Sequence, residues 1–462
     1  MTALTPARVL VGDEIEVPCV DGTPRRYLSL DSAASTAALP SVVQRVTEFM
    51  PWYSSVHRGA GYKSQMATAA YEDARLAALR FAGRGQNDDV AIICRNATEA
   101  INHLAYRLRL TGADSVVSTV AEHHANLLPW SRTQAAMRHV ECDRAGTFTA
   151  DDVTDVLDHG PEPRLLAITG ATNVTGWLPP IDEIIDAAHA RGVLVAVDAA
   201  QLAPHRPMPV RADFIAWSGH KMYAPYGAGV LIGPRSAFVD GDPFLAGGGA
   251  VDLVDLDEVV WTEPPEREEA GSPNVVGTVA LGAAIDDLTD LGWDHLVEHE
   301  RGAAHRLRVG VDSIPGVHLL GPSLDVETLA IATFVVEQVP HALVAARLSA
   351  EFGIGVRHGC FCAHPYLIRL LGLSKTEIEH YREAVLSGDR RHIPGAVRAS
   401  AGISVSGDDI DRFVIALSVI ADGSPPPIKY HQNPVTGDFW PDDPAAPWST
   451  ADSVSGAPCA PG

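Results

Sequence analysis

Lysine, cysteine and long apolar runs are all scarce in this 462-residue sequence, and each scarcity excludes something. Only four of the 35 basic residues are lysines, at positions 63, 221, 375 and 429, so each lysine is unusually informative. Six cysteines, four of them widely scattered, do not form the disulfide framework of a secreted scaffold. No apolar run is long enough to span a bilayer, and the N-terminus lacks the apolar core of a signal peptide. We therefore expect a reduced, cytoplasmic protein with no membrane partner.

Positive charge is also in deficit. The 58 acidic residues outnumber the 35 basic ones and give a formal net charge of −23. A field of that sign repels nucleic acid and anionic lipid, so neither is expected as a partner. The remaining composition, 46% hydrophobic and 20% charged, is ordinary for a globular protein, and the length predicts roughly two domains.

Short apolar runs alternate with amphipathic segments between about residues 30 and 290. Six of these runs are rich in β-branched residues and bounded by turn residues, which is typical of buried strands. They are VAIIC (90–94), SVVSTV (115–120), LLAITG (165–170), VLVAVD (193–198), DFIAWS (213–218) and GVLIG (229–233). Strands that alternate with helices in this way predict an α/β fold with a mostly parallel sheet sandwiched by helices.

Polar residues directly follow five of the predicted strands. They include a hydroxyl, two histidines, an asparagine, a carboxylate, a glutamine and a lysine, and they lie at 95–102, 122–126, 172–176, 198–201 and 218–221. Because ligands of parallel sheets bind beyond the carboxyl ends of the strands, these side chains are expected to share one rim. The sequence therefore predicts a ligand site at that rim.

A change of character near residue 295 predicts a second domain. A long helical pattern there leads into mixed α+β sequence. Within it, the charged stretch 373–395 is predicted to be a solvated helix. We expect residues 1–29 to pack with the small domain and residues 30–294 to form a large ligand-binding domain. We expect a small C-terminal α+β domain at 295–425 and an extended, partly disordered tail at 426–462.

Asp198 and Lys221 together indicate a specific cofactor. A carboxylate at the end of an apolar strand needs a cation, and a protonated pyridine nitrogen would supply one. A lysine amine at the end of the next predicted strand can form a Schiff base with an aldehyde on the same ring, and this pair is what pyridoxal 5′-phosphate (PLP) requires. Taken singly, Asp198 could cap a helix or pair with an arginine, and Lys221 could lie on the surface. The tripeptide SGH before the lysine favours the joint interpretation.

The segment RNATEAIN (95–102) is a candidate site for the cofactor's phosphate. Thr98 stands where a helix is predicted to begin after a strand, and backbone N–H groups at a helix N-terminus bind anions. Plain helix capping explains the same pattern equally well. His123 or His124, in AEHHANLLPW, could lie flat on the cofactor ring, an assignment that depends on the neighbouring motifs.

In these motifs the chain resembles the cysteine desulfurase and selenocysteine lyase family. That family belongs to the class V aminotransferase group of fold-type I PLP-dependent enzymes. The resemblance runs from YLSLDSAAS (27–35) to VRASAGI (397–403). It rests on the order and spacing of SSVHRGAGY, RNATEAIN, EHHANLLPW, TNVTG, VDAAQLAPH, SGHKMYAPYGAGVLIG, AGSPN and VRHGCFCAHP. It implies the fold-type I architecture and bound PLP.

The resemblance also implies a set of cofactor contacts. Lys221 would form the Schiff base, Asp198 would hold the pyridinium nitrogen and His123 would stack on the ring. Ser272, in AGSPN, falls where the family reaches the phosphate of the neighbouring subunit, which implies a homodimer. The other residues at cofactor-binding positions are Ala97, Thr98, Asn173, Gln201, Ser218 and His220, with Gln201 at the phenolic oxygen.

A substrate site follows from the same resemblance. Arg398, in VRAS, matches the arginine that binds the substrate α-carboxylate as a bidentate pair, a task for which a guanidinium is suited. Asn173 and Ala33 are further expected substrate contacts. His57 and Arg58, in SVHRG, would lie near the substrate entrance, although a surface arginine beside a turn glycine is an adequate alternative.

The loop RHGCFCAHP (357–365) decides the expected reaction. Cys362 matches the family's nucleophilic cysteine, and the glycine, arginine and histidine around it favour a reactive thiol over a small buried hydrophobe. Cys360 stands where the family usually has histidine, and it is either a sulfur-relay thiol or a substitution without a role. The lack of further ligands nearby disfavours a metal site. The interval of 36 residues from Cys362 to Arg398 is longer than the family's.

The predicted function is a PLP-dependent cysteine desulfurase, or a selenocysteine lyase, with Lys221, Cys362 and His123 as the catalytic residues. It would convert L-cysteine to L-alanine, leave a persulfide on Cys362 and serve a sulfur-acceptor protein. One alternative is another class V enzyme, namely a C–S lyase, an epimerase or an aminotransferase. The second alternative is a sulfur carrier or scaffold without turnover, against which the retained lysine, aspartate and arginine count.

Overall fold

The computed structural model describes residues 4–442. The α-helices, α1 to α12 in chain order, are Pro40–Phe49, Tyr62–Phe81, Ala97–Arg107, Leu128–Ser131, Ala150–Asp158, Ile181–His189, Val275–Leu291, Trp293–Asp312, His341–Phe352, His364–Leu371, Lys375–Ser387 and Gly407–Ala421. The strands, β1 to β19, are Glu16–Val17, Arg25–Arg26, Leu28–Ser29, Asp89–Cys94, Ser115–Thr119, Ala136–Val140, Pro163–Thr169, Leu194–Asp198, Phe214–Ser218, Gly229–Pro234, Val251–Val254, Val259–Trp261, Val317–Leu320, Ile331–Val336, Ile354–Gly355, Arg357–Gly359, Ala396–Ser400, Tyr430–Gln432 and Phe439–Pro441. In this part of the chain, none of the helices combines the length and apolar character needed to cross a bilayer.

A seven-stranded sheet forms the centre, in the order β4-β10-β9-β8-β7-β5-β6. Every strand except β10 runs in the same direction, which confirms the predicted mostly parallel sheet. All six predicted strands are present. The edge strand β6 was not predicted, because its sequence AMRHV carries Arg138 and His139 in place of an apolar run, as exposed edge strands often do.

Both faces of this sheet are buried, which explains why its strands are almost continuously apolar. Successive strand residues point to opposite faces. Val116 and Leu165 contribute to a core that α3 covers, whereas their neighbours Val117 and Leu166 contribute to the larger core on the other face. The helices α5 and α6 pack into that larger core, and α2 and α7 pack against each other.

The reversed strand β10 brings a glycine to the edge of the sheet where the ligand site was expected. Gly229 lies opposite Ser218 on one side and Cys94 on the other. A Cβ atom at position 229 would lie 2.6 Å from the Cα of Asn96, which is closer than real contacts allow. Glycine is therefore required here for the turn after β4 to approach the sheet.

A second, antiparallel sheet of four strands follows in the order β13-β14-β17-β16. The helices α8, α9 and α12 pack against it around a separate hydrophobic core. Leu28 and Leu30 join this core, and β3 pairs with β15. The domain boundaries given above remain predictions.

The stretch 373–395 and the tail add to these two sheets. Helix α11 has no buried residue, as expected for a solvated helix. The tail forms an antiparallel hairpin of β18 and β19, in which FWP is the second strand. The remainder of the predicted loose tail, 443–462, lies outside the described residues.

We expect the substitution Gly229→Ala to destabilise the protein by about 1–3 kcal/mol, because the added methyl group must displace backbone atoms of Asn96. The free energy of unfolding from chemical denaturation measures the effect. Gly248→Ala is the matched control, since a Cβ there meets no atom within 4 Å. Equal stability of the two variants would show that the close approach is not a constraint.

Candidate active site

A cavity of about 200 Å³ lies at the carboxyl ends of the parallel strands. It brings together residues from the ends of five strands, at the rim that the sequence predicted. Those residues are Asn96, Ala97, Thr98, His123, Ala125, Thr169, Ala171, Asn173, Asp198, Ala200, Gln201, Ser218, His220 and Lys221. The smaller sheet and the N-terminal part of the chain complete the wall with Ala33, Ala34, Arg357, Phe361, Cys362 and Arg398.

Lys221 and Asp198 reach this cavity from neighbouring strands. Asp198 is the last residue of β8, and Lys221 ends a short 3₁₀ turn, Gly219–Lys221, directly after β9. Burial lowers the pKa of the lysine amine to about 8, while the Asp198 carboxylate opposes that shift. Burial raises the pKa of Asp198, against the effects of a hydrogen bond from the Ala200 N–H (2.9 Å) and of Lys221. The two buried groups therefore influence each other's pKa.

The N-terminus of α3 forms one end of the cavity. Asn96 caps the helix by accepting a hydrogen bond from the Glu99 N–H (3.0 Å). The Ala97 N–H donates to the hydroxyl of Ser218 (2.8 Å), and the Thr98 side chain is exposed. Backbone N–H groups and hydroxyls at a helix N-terminus form an anion site. His220, whose pKa is lowered to about 4 by burial, lies beside it as a neutral ring.

His123 lies in the cavity wall as a neutral ring. Burial, followed by the charge of Lys221, lowers its pKa to about 3. Its Nδ1 accepts a hydrogen bond from the Ala125 N–H (3.0 Å), so its proton is carried on Nε2. Behind it, the buried carboxyl of Glu122 accepts bonds from Thr119 and Asn126 (2.7 Å each). Sequence analysis assigned no role to Glu122, although it stands inside a quoted motif.

Gln201 and Asn173 connect the cavity to other segments. The side chain of Gln201 donates to the carbonyl of Ala33 (2.7 Å), which holds the N-terminal part of the chain against the site. The Nδ2 of Asn173 donates to the Phe361 carbonyl (2.7 Å). The Oδ1 of Asn173 is buried and finds no hydrogen-bond partner among the described residues. A buried acceptor in that state is stabilised by any ligand that donates to it.

Arg398 is a buried cation with an unused donor. Its terminal nitrogens donate to the Asn173 carbonyl (2.8 Å) and to Asp31 (3.1 Å), and its Nε finds no partner in the described part of the chain. Burial lowers its pKa to about 10, opposed by Asp31, so it stays positive near neutral pH. A carboxylate oxygen of Asp31 also lies 3.7 Å from a guanidinium nitrogen of Arg357. Arg357, on β16, is paired with Arg398 on the neighbouring strand β17. Both Asp31 and Arg357 stand in motifs quoted above but were not predicted as site residues.

The loop that carries Cys362 is held in an unusual backbone conformation. Phe361 and Cys362 have positive φ angles of 57° and 54°, a region that side chains other than glycine rarely adopt. The Cys362 carbonyl accepts a hydrogen bond from the His124 N–H (2.8 Å). Cys360 does not line the cavity, and burial raises the pKa of its thiol. The thiol that faces the cavity is therefore that of Cys362.

Three of the predicted residues lie elsewhere. His57, Arg58 and Ser272 are exposed and line a separate cavity of about 850 Å³ beside β11 and β12. Arg58 donates to the Val251 carbonyl (2.7 Å), and His57 contacts Glu72 (2.8 Å). Their expected roles involve a neighbouring subunit or the substrate entrance, and they remain predictions. Among residues 4–442, no group of three or more His, Cys, Asp or Glu side chains is arranged to hold a metal ion.

A comparison with family models identifies the chain. The model described as aminotransferase class V matches residues 28–413. The chain belongs to the class V aminotransferase family. This confirms the recognition made from the sequence motifs.

This chain is also similar to proteins named cysteine desulfurases. A probable cysteine desulfurase from Halalkalibacterium halodurans is 35% identical over 368 residues, which cover 77% of this chain and 88% of the relative. A cysteine desulfurase from Escherichia coli strain K12 / DH10B is 32% identical over 413 residues, 87% and 94% of the two chains. An apo cysteine desulfurase from Thermococcus onnurineus NA1 superposes with a TM-score of 0.77 at 30% identity, covering 86% and 95%. These likenesses confirm the PLP fold-type I architecture.

The lowered pKa of Lys221 predicts its reactivity in this class V protein. Because the pKa of Lys221 is about 8, its neutral amine becomes the major form as the pH rises above about 8. An ordinary lysine, with a pKa of about 10.4, reaches that state only at higher pH. We expect acetylation of Lys221 in the cofactor-free protein to level off above about pH 9. Peptide mass spectrometry reads the rate, with the exposed Lys63 as internal control.

The variant Asp198→Asn provides the test of cause. The carboxylate of Asp198 raises the pKa of Lys221. Replacing that carboxylate with a neutral amide should therefore move the acetylation midpoint of Lys221 to lower pH. An unchanged midpoint would contradict the coupling.

Proposed function

We propose that this protein is a PLP-dependent cysteine desulfurase that converts L-cysteine to L-alanine and takes the sulfur onto Cys362. The observation that carries the proposal is that one cavity unites Lys221 and Asp198 with Arg398 and Cys362. The names of its relatives support the same reaction. The first pair suits a pyridine aldehyde, and the second suits an amino acid with sulfur in its side chain.

The residues present fit PLP on structural grounds. The N-terminus of α3, with Ala97, Thr98 and Ser218 and with His220 beside it, would hold the phosphate. Asp198 would face the ring nitrogen, Gln201 the phenolic oxygen and His123 the ring. The Oδ1 of Asn173, which has no hydrogen-bond partner among the described residues, would accept a hydrogen bond from the bound molecule. When bound, PLP supplies an electron sink for bonds at the substrate Cα.

Arg398 would bind the substrate carboxylate. Its Nε has no partner among residues 4–442 and, with a terminal nitrogen, would make two parallel hydrogen bonds, while the terminal nitrogens also contact Asn173 and Asp31. These two contacts fix the plane of the guanidinium. The carboxylate is thereby oriented, and with it the substrate side chain toward Cys362.

Lys221 and Cys362 would perform the proton and sulfur transfers. With a pKa of about 8, the Lys221 amine can both accept and release a proton near neutral pH. The Cys362 thiolate would attack the substrate sulfur, so that a sulfur–sulfur bond forms as the Cβ–sulfur bond breaks. Cβ retains the electron pair and gains a proton, which gives the methyl group of alanine. The enzyme keeps the sulfur as a persulfide for an acceptor protein.

We further propose a homodimer in the cytoplasm. The hairpin of β11 and β12 exposes Leu253, Val254, Leu256, Val259 and Val260, an apolar surface of the kind that partners cover. It borders the second cavity, where Ser272 and His57 lie exposed. A second subunit seated there would bring Ser272 to its partner's phosphate site. The described cysteines are all free, as expected in a reducing compartment.

The substitution Cys362→Ala tests the reaction. We expect alanine formation from L-cysteine to fall by at least about 10³-fold, because the sulfur loses its acceptor. Intact-protein mass spectrometry after incubation should show one added sulfur in the wild type and none in this variant. Cys360→Ala is the matched control and should retain both signals, since Cys360 does not line the cavity. Full activity of Cys362→Ala would remove the basis of the proposal.

The substitution Arg398→Lys tests carboxylate binding. A lysine keeps the charge but cannot make the bidentate pair, so KM for L-cysteine should rise by about 10- to 100-fold. Steady-state kinetics give this value. Cysteamine, which lacks the carboxylate, provides the control, because its weak turnover should respond little to the change. A KM that stays unchanged for L-cysteine would place the carboxylate elsewhere.

A further inference from the structure

Two segments, one inside the class V family match and one beyond it, meet beside the loop of Cys362. The class V family match ends at residue 413, so the hairpin of β18 and β19 lies beyond it. Helix α11 occupies the long interval between Cys362 and Arg398. We use the name brace for these segments together, residues 375–393 and 430–441. Their contacts with each other and with the loop carry the inference.

The two parts of the brace are tied together by backbone contacts. The Arg390 N–H donates to the Pro434 carbonyl (2.8 Å). The side chain of Gln432 donates to the Arg391 carbonyl (2.9 Å). Gly437, at a φ of 81°, lets the hairpin approach so closely that a Cβ there would lie 2.7 Å from the Arg390 carbonyl oxygen. The brace therefore acts as one unit.

The first contact of the brace with the loop joins Asp438 to His358. His341 donates through Nε2 to the Ile393 carbonyl (3.1 Å), which leaves its Nδ1 as an acceptor. The Nδ1 of His358 lies 3.3 Å from that acceptor, and its Nε2 lies 3.3 Å from the carboxylate of Asp438. His358 therefore contacts His341 through one ring nitrogen and the carboxylate of Asp438 through the other. The hairpin is thus joined to a residue two positions before Cys360.

The second contact is a stack of rings on the other side of the loop. The ring of Tyr381 lies at 25° to that of His364, with centroids 6.0 Å apart. His364 in turn lies parallel to His124, at 4.9 Å, and its N–H donates to the Nε2 of His124 (3.2 Å). The N–H of His124 donates to the carbonyl of Cys362. Burial lowers the pKa of both histidines, so the stacked rings are neutral.

These contacts converge on the residues that flank the nucleophile. The brace holds His358 on one side and His364 on the other, while Phe361 and Cys362 between them have strained, positive φ angles. Helix α11 buries no residue, so it adds little to the hydrophobic core. Contacts that add little to the core but surround a strained loop act on the position of that loop.

We propose that the brace, through Asp438 and Tyr381, positions the Cys362 thiol for attack on the substrate sulfur. The inference rests on the proposed function of Cys362. Asp438 and Tyr381 are positioning residues, since neither lines the cavity. Releasing either contact would let the strained loop relax and move the thiol away from the substrate, while the carboxylate site at Arg398 stays intact.

The test uses the full-length protein with Asp438→Asn and Tyr381→Ala. Their matched controls are Val435→Ala in the same hairpin and His380→Ala on the same helix, both exposed. Alkylation of Cys362 by iodoacetamide, located by peptide mass spectrometry in cofactor-free protein, reports the loop without turnover. We expect alkylation to be about 3- to 10-fold faster in the two test variants. With cofactor bound, kcat should fall by about tenfold while KM for L-cysteine changes less than about twofold.

The outcomes separate this inference from the proposed function. Alkylation and kcat equal to those of the control variants would overturn the inference, as would a change in KM alone. If Cys362→Ala kept full activity, the proposed function would fail even where the alkylation result held.

Discussion

The burial of a lysine amine beside an aspartate carboxyl is the constraint on which the rest of this site depends. Away from water each charged form is destabilised, so burial moves the pKa of Lys221 down and that of Asp198 up, while each charge opposes the other's shift. The two residues meet because β8 and β9 are parallel neighbours that end at the same edge of the sheet. A site of this kind is stabilised by a ligand that gives the carboxyl a cation and the amine an electrophile, which is how a pyridine aldehyde fits.

A second set of contacts joins the two sheets across the cavity. Asn173, from the large sheet, bonds to the carbonyl of Phe361 and accepts from Arg398 through its own carbonyl. Asp31 lies between two arginines that face each other on β16 and β17, and so offsets their repulsion. Arg398 and Cys362 are therefore placed by the same contacts. The proposed sulfur transfer needs both to face the cavity that holds Lys221 and Asp198, and the contacts between the two sheets provide this.

Most of the large sheet could be predicted because burial on both faces leaves a direct trace in the sequence. Each predicted run is mostly apolar, and polar residues follow where the strand ends. The edge strand β6 left no such trace, since Ala136 and His139 are exposed and only Val140 is buried. Asp31, Glu122 and Arg357 stood in recognised motifs but were not predicted to contribute to the site. Asp31 acts through Arg357 and Arg398, which are far away in the chain, and periodicity does not reveal such partners.

The sequence by itself determined which polar residues follow each predicted strand. It also singled out Lys221 as one of very few lysines and paired it with Asp198. These features depend on local periodicity and on the rule that parallel strands present their carboxyl ends together. Only the tertiary structure decided which cysteine faces the cavity, where His57, Arg58 and Ser272 lie, and that the tail returns to the loop of Cys362. Those outcomes depend on contacts between segments far apart in the chain, whose energies are set by close packing and burial and leave no repeating pattern along the chain.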